Sequence, residues 1–166
     1  MADEYASIAP CYDPLLSPFL SPVQAAVASF LKDRGCVRVL DVCCGTGTLC
    51  RHLSALGMYA VGVDLSPAML ARAGKKSDEG TLFVLGDAAQ PPVASGGVDA
   101  VVASMALHEM DPPGRDRVFR AMLEIAPLIV VVDYASVGPL DHAGMISRLA
   151  RLLCHIPERL AGARHY

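Results

Sequence analysis

Tryptophan is absent from this chain, and only four phenylalanines and five tyrosines occur among its 166 residues. A base-stacking platform for nucleic acid needs more aromatic surface than that. Positive charge is not in excess either. Fourteen Lys and Arg against 17 Asp and Glu leave a net charge of −3, the wrong sign for binding a phosphate backbone. No uninterrupted apolar run reaches the ~18 residues of a membrane span. The opening residues, Met-Ala-Asp-Glu-Tyr, are acidic and lack the basic-then-apolar order of a secretory leader. Neither nucleic acid nor stable membrane insertion is therefore expected. Six cysteines lie at positions 11, 36, 43, 44, 50 and 154, with no Cys-x-x-Cys pair. They read as free, buried thiols in a reducing cytoplasm, with no metal site.

What is present is material for a core. Hydrophobic residues make up 53% of the chain, and its length suits one domain. Pro10, Pro14 and Pro18 argue against a long helix in residues 1–20. Ser21-Pro22 reads as a helix start, with Val23, Val27, Phe30 and Leu31 as its apolar stripe before Gly35. Strands are then expected at Val37–Val42, Tyr59–Val63, Leu82–Leu85, Val98–Ser104 and Leu128–Asp133. Helices are expected at Thr48–Leu56, from Ser66-Pro67 to Gly74, at Gly114–Ile125 and at Asp141–His155. The strands are continuous apolar runs, the pattern of a parallel sheet covered on both faces. The alternation predicts an α/β fold: a doubly wound, mostly parallel sheet of about five strands with helices on both faces. The expected organisation is one domain, with residues 1–20 as a terminal segment, 21–135 as the core and 136–166 as a C-terminal helix and tail.

Residues 37–47, Val-Arg-Val-Leu-Asp-Val-Cys-Cys-Gly-Thr-Gly, form an apolar run ending in an acid and a glycine turn. Gly45 and Gly47 let the backbone approach a ligand closely. The N–H groups of the helix starting near Thr48 suit a carboxylate or phosphate. Asp64 closes the second strand, where it is placed to accept both hydroxyls of a ribose, a helix-cap role being the other reading. These features predict an adenosine-type cofactor. A dinucleotide fingerprint requires Gly-x-Gly-x-x-Gly, and Gly45-Thr46-Gly47-Thr48-Leu49-Cys50 lacks the third glycine. Asp41, just before the turn, suits an ammonium group better than a pyrophosphate. Together these disfavour a nucleotide-cofactor oxidoreductase. Asp87 and Asp133 also fall at strand carboxyl ends, the edge at which such sheets bind ligands.

The run Val-Leu-Asp-Val-Cys-Cys-Gly-Thr-Gly resembles motif I of the class I S-adenosylmethionine-dependent methyltransferases, which have a Rossmann-like fold. The family more often has Gly where this chain has Cys43. The resemblance implies S-adenosyl-L-methionine as cofactor and S-adenosyl-L-homocysteine as product, with Asp41, Cys43, Gly45 and Gly47 around it. Asp64-Leu65-Ser66-Pro67-Ala68-Met69-Leu70 looks like the segment after motif I. By that likeness Asp64 holds the ribose and Leu65 packs on the adenine. Leu85-Gly86-Asp87-Ala88 resembles the next motif, which places Asp87 at the adenine amino group and the Ala88 N–H at a ring nitrogen. A turn-capping aspartate is the alternative for Asp87. Val98 to His108 looks like the fourth strand and its outgoing loop, with Ser104 and Met105 lining the methionine end. Met105 reads equally as core filler. Tyr5 to Asp13 is similar to the Tyr-x-x-x-Ala-x-x-Tyr-Asp opening of the ubiquinone and menaquinone biosynthesis type. There the segment is a lid that brings Tyr12 near the sulfonium; a strap packed on the sheet is the alternative.

The activity this implies is transfer of a methyl group to a small-molecule acceptor by in-line displacement, in the cytoplasm. A base is needed only where the acceptor loses a proton. His108 is the first candidate, with Glu109 and Asp111 beside it, and Tyr134 the second; His108 also reads as an ordinary loop residue. The family sheet has seven strands, the last two a hairpin, and residues 156–166 do not read as two strands. A sheet lacking that hairpin is expected. A non-catalytic cofactor-binding module, or a fragment completed by a partner chain, is the competing function. An uncovered fifth strand needs protection. The expectation is that residues 138–166, with Ile146, Leu149, Leu152 and Leu153, fold back over it, or that two chains meet there as a homodimer.

Overall fold

The computed structural model of the protein describes residue 3, residues 5–7 and residues 9–133. The helix expected at Asp141–His155, the edge cover expected from residues 138–166, Cys154 and Tyr134 lie outside the described residues. Five strands, β1 (Arg38–Val42), β2 (Tyr59–Asp64), β3 (Thr81–Leu85), β4 (Ala100–Ser104) and β5 (Leu128–Val132), form one sheet in the order β3-β2-β1-β4-β5. All four pairings are parallel, with Leu40 opposite Val61 on one side and Val101 on the other. The order reverses at β1, so the crevice at the carboxyl ends of β1, β2 and β4 is the switch point where such sheets bind ligands.

The period of two in each strand sorts side chains onto two cores. Val39, Ala100 and Val102 pack with Val27, Ala28 and Leu31 of α1 (Ala9–Asp33) and with Leu49, Cys50 and Leu53 of α2 (Thr48–Ala55). Leu40, Val42, Val101 and Ala103 pack with Val118, Met122 and Ile125 of α4 (Pro112–Ile125). The shorter α3 (Pro67–Gly74) contacts β3 and β2. Its cap matches its sequence signal: the Ser66 hydroxyl accepts from the Met69 N–H, with Pro67 at the first helical position. Asp111 caps α4 through the Gly114 N–H at 2.9 Å.

Two expectations are corrected. The N-terminal helix does not start at Ser21 but runs unbroken through 25 residues, with Pro14, Pro18 and Pro22 inside it. A proline inside a helix removes the bond to the carbonyl four residues earlier. Here the prolines stand four apart, at 10, 14, 18 and 22, so every loss falls on one row. All four are exposed. The opposite row is buried: Ala9, Asp13, Leu16, Val27, Ala28 and Leu31. The apolar pieces that are short in the sequence thus join into one helix with a mean hydropathy of 1.3 over 18 residues, enough by length and composition to cross a bilayer. In this fold its inner row packs on the sheet side instead. The second correction concerns the sheet edges. β5 is an edge strand among the described residues, and it is half-buried rather than buried on both faces. β3 is equally open, with Leu82 and Leu85 exposed.

Candidate functional site

The loop between β1 and α2 is shaped by three residues with positive φ: Cys43 at 57°, Gly45 at 55° and Gly47 at 71°. That region favours glycine, which accounts for the preference for Gly at the position Cys43 holds. The two glycines have different reasons to be glycine. A Cβ on Gly45 would meet nothing within 4 Å, so its backbone lies open to a ligand. A Cβ on Gly47 would sit 2.5 Å from the Phe83 ring, so Gly47 serves packing against β3. Two bonds fasten the loop to β2. The Cys44 N–H donates to the Val63 carbonyl at 3.0 Å, and the Gly45 N–H donates to Asp64 Oδ2 at 2.7 Å. Asp64 Oδ1 accepts from the Ser66 N–H at 2.8 Å. Burial raises the Asp64 pKa, and the charge of Asp3 adds to it, against the lowering effect of those amides. Asp64 therefore both pins the glycine loop and borders the crevice. Its two oxygens keep lone pairs beyond the two amides.

A cavity opens at this edge between α1, the glycine loop and the ends of β2 and β4. Of the residues expected in the site, Tyr12, Cys43, Gly45, Asp64, Leu65, Ala88, Ser104 and Met105 line it. Asp41, Gly47, Asp87 and His108 do not form its wall. Asp41 points to the α2 side of β1, where Cys50 Sγ donates to its Oδ2 at 3.5 Å and where it is 2% exposed. Burial pushes its pKa up to about 7. Asp87 is exposed and accepts from the Ala89 N–H at 2.8 Å, the turn-capping geometry. Met105 takes φ 58° and donates its N–H to the Val132 carbonyl at 2.7 Å. A second non-glycine residue in the left-handed region, directly after a strand and facing the same cavity, is strain held in place by the surrounding structure.

The thiols are poorly suited to nucleophilic roles. Burial pushes Cys43, Cys44 and Cys50 up; Asp41 adds to the effect at all three and Asp64 at Cys43 and Cys44. Cys36 is also buried, but Cys11 is exposed, contrary to the expectation of buried thiols throughout.

Several wall residues were missed by sequence reasoning because α1 was not read as one helix. Its positions 12, 13, 17, 20 and 24 share one face and supply Tyr12, Asp13, Ser17, Leu20 and Gln24 to the wall. Asp13 accepts from the Thr46 hydroxyl of the glycine loop and from Lys76 Nζ at 2.7 Å. Burial alone would raise the Asp13 pKa. The bonds from Lys76 and Thr46, with the charges of Lys76 and Arg51, overcome that and hold it below the usual carboxylate range. Arg51 itself donates to the Thr46 carbonyl at 2.7 Å. The described N-terminal residues make contacts at this edge. Asp3 accepts from the Ser66 hydroxyl at 2.8 Å and the Ala68 N–H at 2.9 Å, while the Tyr5 hydroxyl donates to Glu109. The only sequence signal for this was the Tyr5–Asp13 opening.

His108 lies in the 3₁₀ turn Leu107–Glu109 after β4. Asp133, just past β5, holds it at two points: Oδ2 accepts from the His108 N–H at 3.0 Å, and Oδ1 is 2.7 Å from ring Nδ1. Asp133, distant in sequence, orients the ring here, whereas the sequence placed only Glu109 and Asp111 beside it. The same clamp fixes the turn whose Ala106, Glu109 and Met110 form part of the cavity wall.

The chain is similar to known proteins. Residues 39–126 match the family described as a methyltransferase domain. The chain is 41% identical over 75 residues to the demethylmenaquinone methyltransferase of Beutenbergia cavernae, covering 45% of this chain and 31% of that protein. It is 42% identical over 78 residues to the 18S rRNA (guanine-N(7))-methyltransferase of Bos taurus, covering 46% and 27%. The chain thus spans about a third of the length of the curated relatives it matches. Among solved structures, the DhpI–SAH complex aligns with a TM-score of 0.59 at 25% identity, covering 74% of this chain and 60% of that one. The magnesium protoporphyrin IX methyltransferase of Synechocystis PCC 6803 with bound SAH shares the fold, with a TM-score of 0.61 at 19% identity over 80% and 62% of the two chains. With the family match spanning more than half of its residues, on a parallel sheet that carries the glycine loop and Asp64 at its switch point, the chain belongs to the class I S-adenosylmethionine-dependent methyltransferases.

Proposed function

We propose that the protein transfers a methyl group from S-adenosylmethionine to a small-molecule acceptor, in the cytoplasm. The observation that carries the cofactor half of this reading is the coupling of Gly45 and Asp64. The carboxylate at the end of β2 holds the glycine loop in place, and both residues face one cavity. The open space above Gly45 and the unpartnered Ser104 Oγ fit a polar cofactor laid across the loop. Asp64 and Leu65 would hold its ribose and adenine, Ala88 its base edge, and Ser104 and Met105 its methionine end. When bound, S-adenosylmethionine supplies an activated methyl group and its own leaving group.

The chain's part is then orientation and exclusion of water. Tyr12 offers an aromatic face from α1, and aromatic faces attract cations. The contacts of Asp3, Tyr5 and Asp13 tie the described N-terminal residues to the start of α3, the turn after β4 and the glycine loop. Positioning of this kind supplies up to roughly 7–11 kcal/mol of a barrier. For an acceptor that must lose a proton, His108 oriented by Asp133 is the proposed base, which requires the acceptor to reach past the wall residues Ala106, Glu109 and Met110.

The small-molecule half rests on the mixed-polarity cavity at the sheet edge and on the net charge of −3, which opposes a polyanionic acceptor. It is tested by supplying methyl-labelled S-adenosylmethionine together with either a quinol-type small-molecule pool or ribosomal RNA. Label in the solvent-extractable small-molecule fraction is expected. Label in the RNA alone would overturn the acceptor class.

A further inference from the structure

Three buried polar side-chain atoms among the described residues have no hydrogen-bond partner: Gln24 Oε1, Asp41 Oδ1 and Ser104 Oγ. Buried polar atoms are nearly always paired, so each calls for an explanation. Their positions are related. Asp41 and Ser104 point to the same side of the sheet as Val39, Ala100 and Val102, the side covered by α1 and α2. Gln24 stands three and four residues before Val27 and Ala28, which pack on that side, so it shares their face of α1. Gln24 and Ser104 both line the cavity, while Asp41 lies beneath the loop against Cys50.

The chemistry of the two atoms on cavity-lining residues, Gln24 and Ser104, narrows the ligand group. An amide oxygen is an acceptor only, and a hydroxyl accepts as readily as it donates. A carboxylate or phosphate oxygen placed against Gln24 Oε1 would meet an acceptor. A primary ammonium, with three N–H donors and a positive charge, matches both atoms. We propose that Gln24 of α1 recognises the cofactor's amino-acid end, its Oε1 accepting a hydrogen bond from the ammonium group, with Ser104 Oγ facing the same group. The inference rests on the S-adenosylmethionine reading of the cavity and adds a residue outside the glycine loop to it. It also gives α1 a function in the site: the helix carries a recognition residue as well as lining the cavity.

The test compares two ligands on two variants by calorimetry. S-adenosylhomocysteine carries the ammonium; 5′-methylthioadenosine has the nucleoside and sulfur without the amino-acid end. Gln24→Leu is expected to weaken S-adenosylhomocysteine about tenfold or more, since hydrogen bonds to charged groups are the strong ones. It should leave 5′-methylthioadenosine within about twofold, which also reports that the variant is folded. Gln24→Glu keeps the acceptor and the length, and is expected to retain S-adenosylhomocysteine within about threefold. Undiminished S-adenosylhomocysteine affinity in Gln24→Leu would overturn the proposal, as would equal weakening of both ligands. If Gln24→Leu fails to fold, the Gln24→Glu variant decides: weakening of S-adenosylhomocysteine beyond that of 5′-methylthioadenosine would overturn it. Wild-type protein that binds neither ligand would overturn the reading of the cavity itself, a result distinct from loss in a variant alone.

Discussion

Replacing Asp41 with Asn should flatten the pH dependence of folding stability in a defined window. Asp41 is fully enclosed between β1 and α2, with one weak thiol donor on Oδ2 and no partner on Oδ1. Burial disfavours its charged form and lifts its pKa from 3.8 to about 7, the proximity of Asp64 adding to the effect. Between those values the folded chain holds a proton that the unfolded chain has released. Stability contributed by this group is therefore fully present below about pH 4 and is lost as pH rises through about 7. At about 1.4 kcal/mol per pH unit, the loss across the window is roughly 4 kcal/mol as an upper figure. Asp13, Asp78 and Asp99 act in the opposite direction, since their pKa values are lowered and their contribution is lost as pH falls. Asp64 shares the sign of Asp41. The wild-type profile mixes all of these, so the difference between wild type and Asp41→Asn is the informative quantity. Urea unfolding at half-unit steps from pH 4 to pH 8 measures it. The variant should gain on the wild type progressively as pH rises, by several kcal/mol at pH 8. Parallel stability curves would refute the enclosed, weakly partnered carboxyl described for Asp41.

Asp64→Ala should weaken S-adenosylhomocysteine by at least about 1.5 kcal/mol, measured by calorimetry. It should also lower the melting temperature, because the Gly45 and Ser66 N–H groups lose their acceptor; a variant with unchanged affinity would contradict the ribose role. Gly47→Ala should cost about 2–4 kcal/mol in urea unfolding, combining left-handed strain with a Cβ driven into Phe83. Gly45→Ala should cost only the strain, about 1–2 kcal/mol, and equal losses at the two sites would refute their separate roles. Asp13→Ala should lower stability by about 1–3 kcal/mol by leaving the Thr46 hydroxyl without its acceptor and Lys76 without its partner, read as a fall in melting temperature. His108→Gln should lower turnover by roughly 10²–10⁴ for an acceptor that loses a proton, with a shifted pH–rate profile in Asp133→Asn; unchanged profiles would leave the pair a structural clamp of the loop.

The sheet was legible in the sequence because each strand is a short apolar run bounded by turn residues. Val39 to Val42 and Ala100 to Ser104 leave few other options for burial; the strand order was not legible, because crossover handedness sets the face a connecting helix packs on and not which strands are neighbours. The start of α3 was legible because Ser66 and Pro67 are a local signal. The length of α1 was not. Its prolines weigh against a helix one at a time, and only their four-residue spacing, set against a buried row on the opposite side, makes the helix tolerable. Losing α1 meant losing Asp13, Ser17, Leu20 and Gln24 from the site. The wall position of Asp64, Leu65 and Ala88 was legible from motif order. The retreat of Asp41 behind the loop was not, because it depends on which side of β1 an odd-numbered residue faces.

The most direct test of the central claim is binding of S-adenosylhomocysteine against NAD, by calorimetry and thermal melt on the same preparation. The account predicts that S-adenosylhomocysteine binds one site and stabilises the fold by about 2.7 kcal/mol at a hundredfold excess over its dissociation constant, with no shift from NAD. Equal stabilisation by both ligands, or by neither, would contradict it.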